Sequence, residues 1–193
     1  TEISTQNQKD IRNVSSQNDN IITQKYFTMT FEHGKNKDSN YSYVVIPNTD
    51  AAQMENYAAN PDITILENSK NIHAVRDDKN QITAINFFEA GQSSGVKTSS
   101  PVSMLIKKSD NTVTIALSDP LFNQKEVKLD LDIPNASIAS ADKRITAKCA
   151  SDHVELALDA NELYGQSVEI TLNTSTENPF TDVSENSWYY DAV

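Results

Sequence analysis

The residues best suited to chemistry are the three histidines, His33, His73 and His153. Near neutral pH an imidazole can serve as a general base or bind a ligand. None of the three stands in an HExxH motif or beside a Cys-x-x-Cys pair, so zinc has little support. The sequence also has no Gly-x-Ser-x-Gly elbow, P-loop or dinucleotide fingerprint. The sequence therefore contains no motif that predicts a metal site or a cofactor.

His33 has the most suggestive surroundings of the three. It precedes Gly34 and follows the alternating run of residues 26–31, which predicts a strand with His33 at its end. Tyr41 and Tyr43 open the next apolar run, which predicts a second strand. A histidine at a strand end can act as a base, or it can bond nearby backbone while the glycine takes a positive φ. The residues favour the structural role and leave the catalytic one open.

Other reactive groups have structural explanations. Cys149 is the one cysteine, so no intrachain disulfide can form, and its place on an apolar face predicts a small buried side chain. Carboxylates such as Asp130 and Asp132 lie on the polar face of an alternating run and predict solvated surface. A structural calcium ion suits the acidic composition, but no Asp-x-Asp-x-Asp-Gly loop supports one.

The charge of the chain restricts its partners. Its 193 residues carry a formal net charge of −11, and 37% of them are hydrophobic. An acidic surface disfavours nucleic acid and anionic membranes, because both are polyanions. No apolar run approaches the length of a membrane span. We therefore expect one or two globular domains without a nucleic-acid partner or a membrane span.

The elements that must position these residues are mostly strands. The runs that begin at Val127, Val154 and Val168 alternate between apolar and polar residues, so each predicts a strand with one dry face. Short strands at regular spacing, with Asn, Asp and Ser in the turns, are typical of an antiparallel sandwich. The predicted fold class is therefore mainly all-β, built of antiparallel β-sandwich layers.

Two segments interrupt this β pattern. One short helix is predicted near residues 50–59, with Asp50 as its N-cap and with Met54 and Tyr57 as core contacts. Residues 90–101 are rich in glycine and serine and predict a linker.

Four short motifs follow one another in the first half of the chain. They are Phe31-x-His33-Gly34, Tyr41-x-Tyr43-Val44-x-x-Pro47-Asn48, Tyr57-Ala58-Ala59-Asn60-Pro61 and Ala74-Val75-Arg76. Their order and spacing resemble polysaccharide lyase family 8, which includes the hyaluronate, chondroitin and xanthan lyases. The resemblance extends over about residues 10–173.

The resemblance implies a domain organisation. In that family an N-terminal α/α toroid precedes a β-supersandwich and a smaller C-terminal β-sandwich. Residues 1–92 would be the end of the supersandwich, and residues 96–174 the C-terminal sandwich. The toroid carries the family's catalytic residues, and the chain lacks the repeated amphipathic helices of a toroid, so we expect no catalytic residue here. The candidates for an interface with the missing toroid are His33, Gly34, Tyr41 and Tyr43.

The activity implied for the parent enzyme is β-elimination on a uronic-acid polysaccharide of the hyaluronan, chondroitin or xanthan type. The uronate carboxylate must be neutralised during the reaction, whereas a chain of net charge −11 would repel it. We therefore expect a non-catalytic β-scaffold, inactive alone, which meets the polysaccharide through the parent enzyme.

Two other functions stay open. The first is a carbohydrate-binding module, for which Phe122 and Tyr164 are the best exposed aromatic candidates. The second is a structural cell-wall module that self-associates through unpaired strand edges.

The last residues of the chain resemble a different module. Residues 178–193 resemble the start of an S-layer homology domain, through Phe180-x-Asp182-Val183 and Trp188-Tyr189-x-x-Ala192-Val193. Such modules bind cell-wall polysaccharide. This resemblance implies a secreted bacterial protein associated with the cell wall.

Overall fold

The computed structural model describes residues 2–7, 21–26, 28, 30–35 and 40–175. The chain divides into two compact units, residues 1–46 and 47–193. In the first unit, β1 (Glu2–Asn7) and β2 (Ile21–Tyr26) pair in an antiparallel hairpin. The strand predicted over residues 26–31 with His33 at its end, and the strand predicted to start at Tyr41, are both wrong, because the described residues between Thr28 and Ile46 are assigned to neither helix nor strand.

The second unit begins with the predicted helix, α1 (Ala51–Ala59). Its N-cap is a capping box: the Asp50 carboxylate accepts from the Gln53 backbone N–H at 2.8 Å, and the Gln53 side chain accepts from the Asp50 N–H at 3.0 Å. The helix and its cap are therefore confirmed. The prediction that Met54 and Tyr57 enter the core is wrong, because no residue of this short helix is buried and both side chains stay half-exposed.

The rest of the second unit is built of strands. In chain order they are β3 (Ile63–Asn68), β4 (Ile72–Asp77), β5 (Ile82–Phe87), β6 (Gly91–Ser93), β7 (Val96–Thr98), β8 (Val102–Ser109), β9 (Thr112–Ser118), β10 (Glu126–Leu131), β11 (Ser137–Ala141), β12 (Ile145–Cys149), β13 (Val154–Asp159) and β14 (Val168–Asn173). All their pairings are antiparallel. A seven-stranded sheet has the order β11-β14-β9-β8-β5-β4-β3, and a five-stranded sheet has the order β12-β13-β10-β7-β6.

Both sheets contribute to one hydrophobic core, in agreement with the predicted antiparallel sandwich. The strand β10 shows how the sequence produces it: its buried residues alternate with exposed ones, as a period of two requires. Strands β13 and β14 alternate in the same way. The largest side chains that are fully enclosed include Phe87, Leu131 and Leu158. Burying each of these contributes roughly 1.5–3 kcal/mol relative to exposure.

The linker predicted over residues 90–101 is wrong, because this segment contains the β6–β7 hairpin. Ser94 and Gly95 form its turn with φ of 52° and 72°, and two positive φ values are what a tight hairpin turn needs. The Gly- and Ser-rich composition therefore marks a turn. The predicted domain division at residues 92–96 falls inside the hairpin, and β5 and β8 on either side of it pair directly.

Candidate functional site

Four rings of the first unit lie together and form the aromatic cluster, defined as Phe31, His33, Tyr41 and Tyr43. The Phe31 and Tyr41 rings stack with centroids 5.2 Å apart, and Tyr41 and Tyr43 lie nearly parallel at 6.4 Å. The His33 ring lies 5.6 Å from Tyr41. Phe31, Tyr41 and Tyr43 are exposed, while His33 is half-buried.

The sequence-predicted interface residues are thus neighbours in space. Gly34 has a φ of 71°, which confirms the expected positive φ beside His33. Exposed ring faces can pack against another apolar surface or stack on a sugar ring. Whether the cluster meets another domain stays a prediction.

A second exposed aromatic surface is formed by the two predicted binding residues, Phe122 and Tyr164, which we call the loop aromatic pair. Their side chains are 62% and 67% exposed. Both have a positive φ, of 60° and 49°, in the loops after β9 and β13. The Phe122 ring lies so close to Gly165 that a Cβ there would overlap its Cε1 atom. The two loops are therefore in contact.

Asp119 holds the first of these loops in place. Its carboxylate is fully buried and accepts hydrogen bonds from the Leu121 N–H at 2.8 Å, the Gln124 N–H at 3.0 Å and the Gln124 side-chain amide at 2.7 Å. Burial raises the pKa of this carboxyl, but the hydrogen bonds from Gln124 and Leu121 outweigh it and leave the pKa below its ordinary value. The anchor keeps Phe122 at the surface.

Asp119 was missed by reasoning from the sequence. Its only signal is the Asp-Pro pair it forms with Pro120, which marks a turn without showing that the carboxylate is buried. The second loop is tied down by a hydrogen bond from the Ser118 hydroxyl to the Gly165 carbonyl oxygen at 3.2 Å.

The remaining histidines, His73 and His153, belong to the second unit and have partners of their own. His73 makes an edge-to-face contact with Phe88, at a centroid distance of 5.0 Å. The His153 Nδ1 atom lies 2.7 Å from the Asp152 carboxylate, and this hydrogen bond raises the pKa of His153. Cys149 packs against the core as predicted, but its side chain is half-buried rather than buried.

Among the described residues, no group of three or more His, Cys, Asp and Glu side chains is arranged to hold a metal ion. In the same part of the chain, no helix is both long and apolar enough to cross a membrane.

Comparison with protein families gives two adjacent matches. Residues 1–58 match the super-sandwich domain of polysaccharide lyase family 8. Residues 64–128 match the C-terminal beta-sandwich domain of the same family. The second match starts at β3 and continues through the β6–β7 hairpin.

Similar sequences come from named lyases. Hyaluronate lyase HylB of Enterococcus faecalis is 26% identical over 130 residues, which are 66% of this chain and 13% of that protein. Xanthan lyase of Bacillus sp. is 27% identical over 178 residues, which are 89% of this chain and 19% of that protein. The chain thus spans less than a fifth of the length of these curated relatives.

Solved structures show the same architecture. Paenibacillus xanthan lyase superposes with a TM-score of 0.64 at 25% identity, over 69% of this chain and 13% of that one. Chondroitin AC lyase of Streptomyces coelicolor A3 superposes with a TM-score of 0.61 at 22% identity, over 66% of this chain and 17% of that one. The two matched segments, residues 1–58 and 64–128, are thus similar to the two β-sandwich domains of polysaccharide lyase family 8, and the fold is that of the β-sandwich regions of the solved lyases.

Proposed function

We propose that this chain is the non-catalytic β-scaffold of a polysaccharide lyase that cleaves uronic-acid polysaccharide of the hyaluronan, chondroitin or xanthan type. The observation that carries the proposal is the pair of adjacent matches, at residues 1–58 and 64–128, to the family's two sandwich domains. The −11 charge of the chain supports it, because the surface as a whole would repel a polyuronate.

The reaction explains why the chemistry belongs elsewhere. In β-elimination a base removes the proton at C5 of the uronic acid, and the 4-O-linked sugar leaves as the C4–C5 double bond forms. The carboxylate needs neutral or cationic donors around it, so that the charge on the enolate-like intermediate is stabilised. In this proposal an α/α toroid outside the chain supplies the base and these donors.

The aromatic cluster is the proposed contact with that toroid. Phe31, Tyr41 and Tyr43 expose ring faces that an apolar domain surface would cover, and His33 lies beside them. Burying them would align the scaffold with one wall of the substrate cleft.

The experiment compares the 193-residue chain with its full-length parent. We expect the parent to produce unsaturated uronate from hyaluronan, chondroitin or xanthan, measured by ultraviolet absorbance, and the chain alone to produce none. Unsaturated product from the purified chain would refute the non-catalytic role. In the parent, Tyr41→Ala with Tyr43→Ala should weaken the domain contact and lower activity, whereas Phe88→Ala, at an exposed ring of the sandwich, should not.

The C-terminal residues 178–193 extend this proposal to the location of the protein. Residues 178–193 lie outside the described residues, and their S-layer resemblance supports a secreted protein held at the bacterial cell wall. Sedimentation of the parent with purified wall polysaccharide tests this, because a parent truncated after residue 177 should stay in the supernatant.

Carbohydrate binding is the second candidate, and the loop aromatic pair favours it. Phe122 and Tyr164 are exposed on two loops that are held together by the Phe122–Gly165 contact and anchored at Asp119. Rings fixed in this way can stack on sugar faces with little loss of conformational entropy. Calorimetric titration with wall and uronic-acid oligosaccharides decides it. Phe122→Ala and Tyr164→Ala should abolish any heat of binding, while Phe88→Ala should leave it.

A further inference from the structure

The solvent face of the seven-stranded sheet carries a row of apolar side chains that none of these roles uses. Strand register places five residues directly opposite one another, on β3, β4, β5, β8 and β9. We call them the apolar row, which consists of Ile65, Val75, Ala84, Leu105 and Ala116. On β4, β5, β8 and β9 a sequence neighbour of each is buried in the core, so alternation turns the row to the outer face. Val75 and Leu105 are 38% and 42% exposed.

The outer face of the five-stranded sheet is built differently. Along β10 the exposed positions are Glu126, Lys128 and Asp130, and the neighbouring strands β12 and β13 add the exposed Lys148 and Glu155. Antiparallel sheets that face water carry polar residues on that side. Apolar residues in place of these charges therefore indicate a face that another surface covers.

Two opposite charges border the apolar row. In the adjacent row, Asp77 on β4 is opposite Ile82 on β5, and Ile82 is opposite the exposed Lys107 on β8. The acidic and the basic residue thus lie one strand to either side of β5. The Asp77 carboxylate accepts hydrogen bonds from the Asn80 N–H at 2.9 Å and from the Asn80 side-chain amide at 2.7 Å. Its remaining lone pairs can accept from a further donor.

This pattern of charges and apolar residues is complementary to itself. Two such sheets can face each other about a two-fold axis that runs along β5 in the plane between them, and this axis exchanges β4 with β8 and β3 with β9. Val75 then faces Leu105 of the partner subunit, and Asp77 faces Lys107 of the partner subunit. An axis along β4 would oppose two Asp77 carboxylates, and an axis along β8 would oppose two Lys107 ammonium groups. Charge therefore selects β5 as the axis.

Small side chains at the centre of this arrangement permit close approach. Ala84 lies on the axis and meets Ala84 of the partner subunit, which suits the spacing of about 10 Å between packed sheets. Toward the ends, Ile65 faces Ala116 of the partner subunit. Five strands about 4.8 Å apart make the row about 19 Å long. This is small for a protein interface and predicts weak, reversible association.

We propose that the apolar row is the interface of a weak homodimer, in which two copies of the sandwich pack face to face about β5. Burial of the apolar row supplies the attraction, and the two pairs of Asp77 with Lys107 fix the register between the copies. The interface uses neither the aromatic cluster nor the loop aromatic pair. It is independent of the scaffold role proposed above.

Sedimentation equilibrium of the 193-residue chain from about 10 μM to 1 mM tests the proposal. Salt at about 0.15 M screens the net charge of −11, which opposes association. We expect a monomer–dimer equilibrium. Leu105→Lys should raise the dissociation constant about tenfold or more, because it brings a charge into the apolar contact. Leu121→Lys, at a leucine of similar exposure outside the row, is the matched control and should leave association unchanged.

Reversing the two charges tests the register between the copies. Asp77→Lys alone and Lys107→Asp alone should each weaken association, because each opposes like charges across the axis. The double variant Asp77→Lys with Lys107→Asp should regain most of the lost affinity. Far-ultraviolet circular dichroism of every variant shows that the fold is retained.

The proposal is overturned by a chain that stays monomeric throughout this range, by equal effects of Leu105→Lys and Leu121→Lys, or by a charge-reversed double variant that regains no affinity. A full-length parent that stays monomeric while the chain dimerises would also overturn it, because another part of the parent would then cover the row. A dimer that is lost only when residues 176–193 are removed would place the contact elsewhere. The ultraviolet assay of the wild-type parent reports on the scaffold role alone, so the two proposals can fail independently.

Discussion

The sandwich of the second unit and the 28–46 segment of the first use their large apolar residues in opposite ways. In the sandwich, aliphatic side chains and Phe87 point inward and are almost completely enclosed. In the segment, Phe31, Tyr41 and Tyr43 contact one another and still face solvent. The sandwich encloses most of its large apolar side chains and leaves a few exposed, among them Phe88, Phe122 and Tyr164, whereas the segment exposes the rings of Phe31, Tyr41 and Tyr43.

The difference also concerns the backbone. Every strand of the sandwich pairs with a neighbour, while the described residues of the segment lie outside any ladder. A β conformation is stable in water when strands pair and cover one face. We therefore expect mutations in the core of the sandwich to lower the free energy of unfolding strongly, and mutations in the segment to lower it little.

We expect the largest loss of stability from removing a core ring, and a much smaller loss from removing an exposed one. Phe87→Ala removes a ring that is 1% exposed, and we expect it to lower the free energy of unfolding by about 3–5 kcal/mol. Tyr43→Ala removes a ring that is 62% exposed and should cost less than about 1.5 kcal/mol. Chemical denaturation of both variants measures this. Equal losses would mean that the segment is as integral to the fold as the core.

The next effect tests the polar anchor of the sandwich loops. Asp119→Ala should cost about 1.5–3 kcal/mol, because it leaves the part-buried N–H donors of Leu121 and Gln124 without their charged acceptor. The folded pKa of Asp119 lies below its ordinary value of 3.8. The Asp119 carboxylate therefore contributes fully to the free energy of unfolding above about pH 3.8, and this contribution is lost as the pH falls through the folded pKa.

Denaturation from pH 7 to 2 checks both parts of this prediction. The wild type should lose stability more steeply than Asp119→Ala below about pH 4. Parallel curves for the two proteins would contradict the anchoring role of the carboxylate.

A smaller effect tests the contact between the two aromatic loops. Gly165→Ala adds a Cβ that overlaps Phe122 at a φ of 76°, and we expect a loss of about 1–3 kcal/mol from the combined strain. Phe122→Ala removes the overlap but leaves the φ unchanged. In a double-mutant cycle, Gly165→Ala should therefore cost less in the Phe122→Ala background. Additive costs would show that the loops are independent.

The smallest effect concerns the helix at the start of the second unit. Asp50→Ala removes the capping carboxylate of α1 and should cost about 1 kcal/mol. Asp50→Asn keeps an acceptor for the Gln53 N–H and is the matched control, with an expected cost near zero. Thermal unfolding followed by circular dichroism compares them. If Asp50→Ala leaves the unfolding temperature unchanged, the helix does not share in the cooperative unfolding of the sandwich.

Local pattern was enough to predict much of the sandwich. Val127, Leu129 and Leu131 alternate with charged residues and are buried as a period of two requires. The turn residues Ser109, Asp110 and Asn111 stand between two apolar runs, which is a hairpin signal, and β8 and β9 pair across them. The capping box of Asp50 and Gln53 is confirmed as well. Each of these features depends on residues close together in the chain.

The features that sequence reasoning missed depend on distant partners. Residues 90–101 have the composition of a linker, and it is the pairing of β7 with β10 that makes their hairpin part of a sheet. Asp119 is buried because Gln124 and the backbone around it supply donors, which no spacing rule reveals. Met54 and Tyr57 have helical spacing, but the described residues offer them no place in the core.

The strand order of the seven-stranded sheet has a consequence for how the chain folds. β3, β4 and β5 pair with their neighbours in sequence, so only short loops must close before these ladders form. The β9–β14 ladder must instead bring Leu117 and Val168 together, with the greater loss of chain entropy that a longer loop carries. Rapid folding relies on local contacts, and slow steps on distant ones. We therefore expect the three-stranded meander to form early and β14 to join the sheet late.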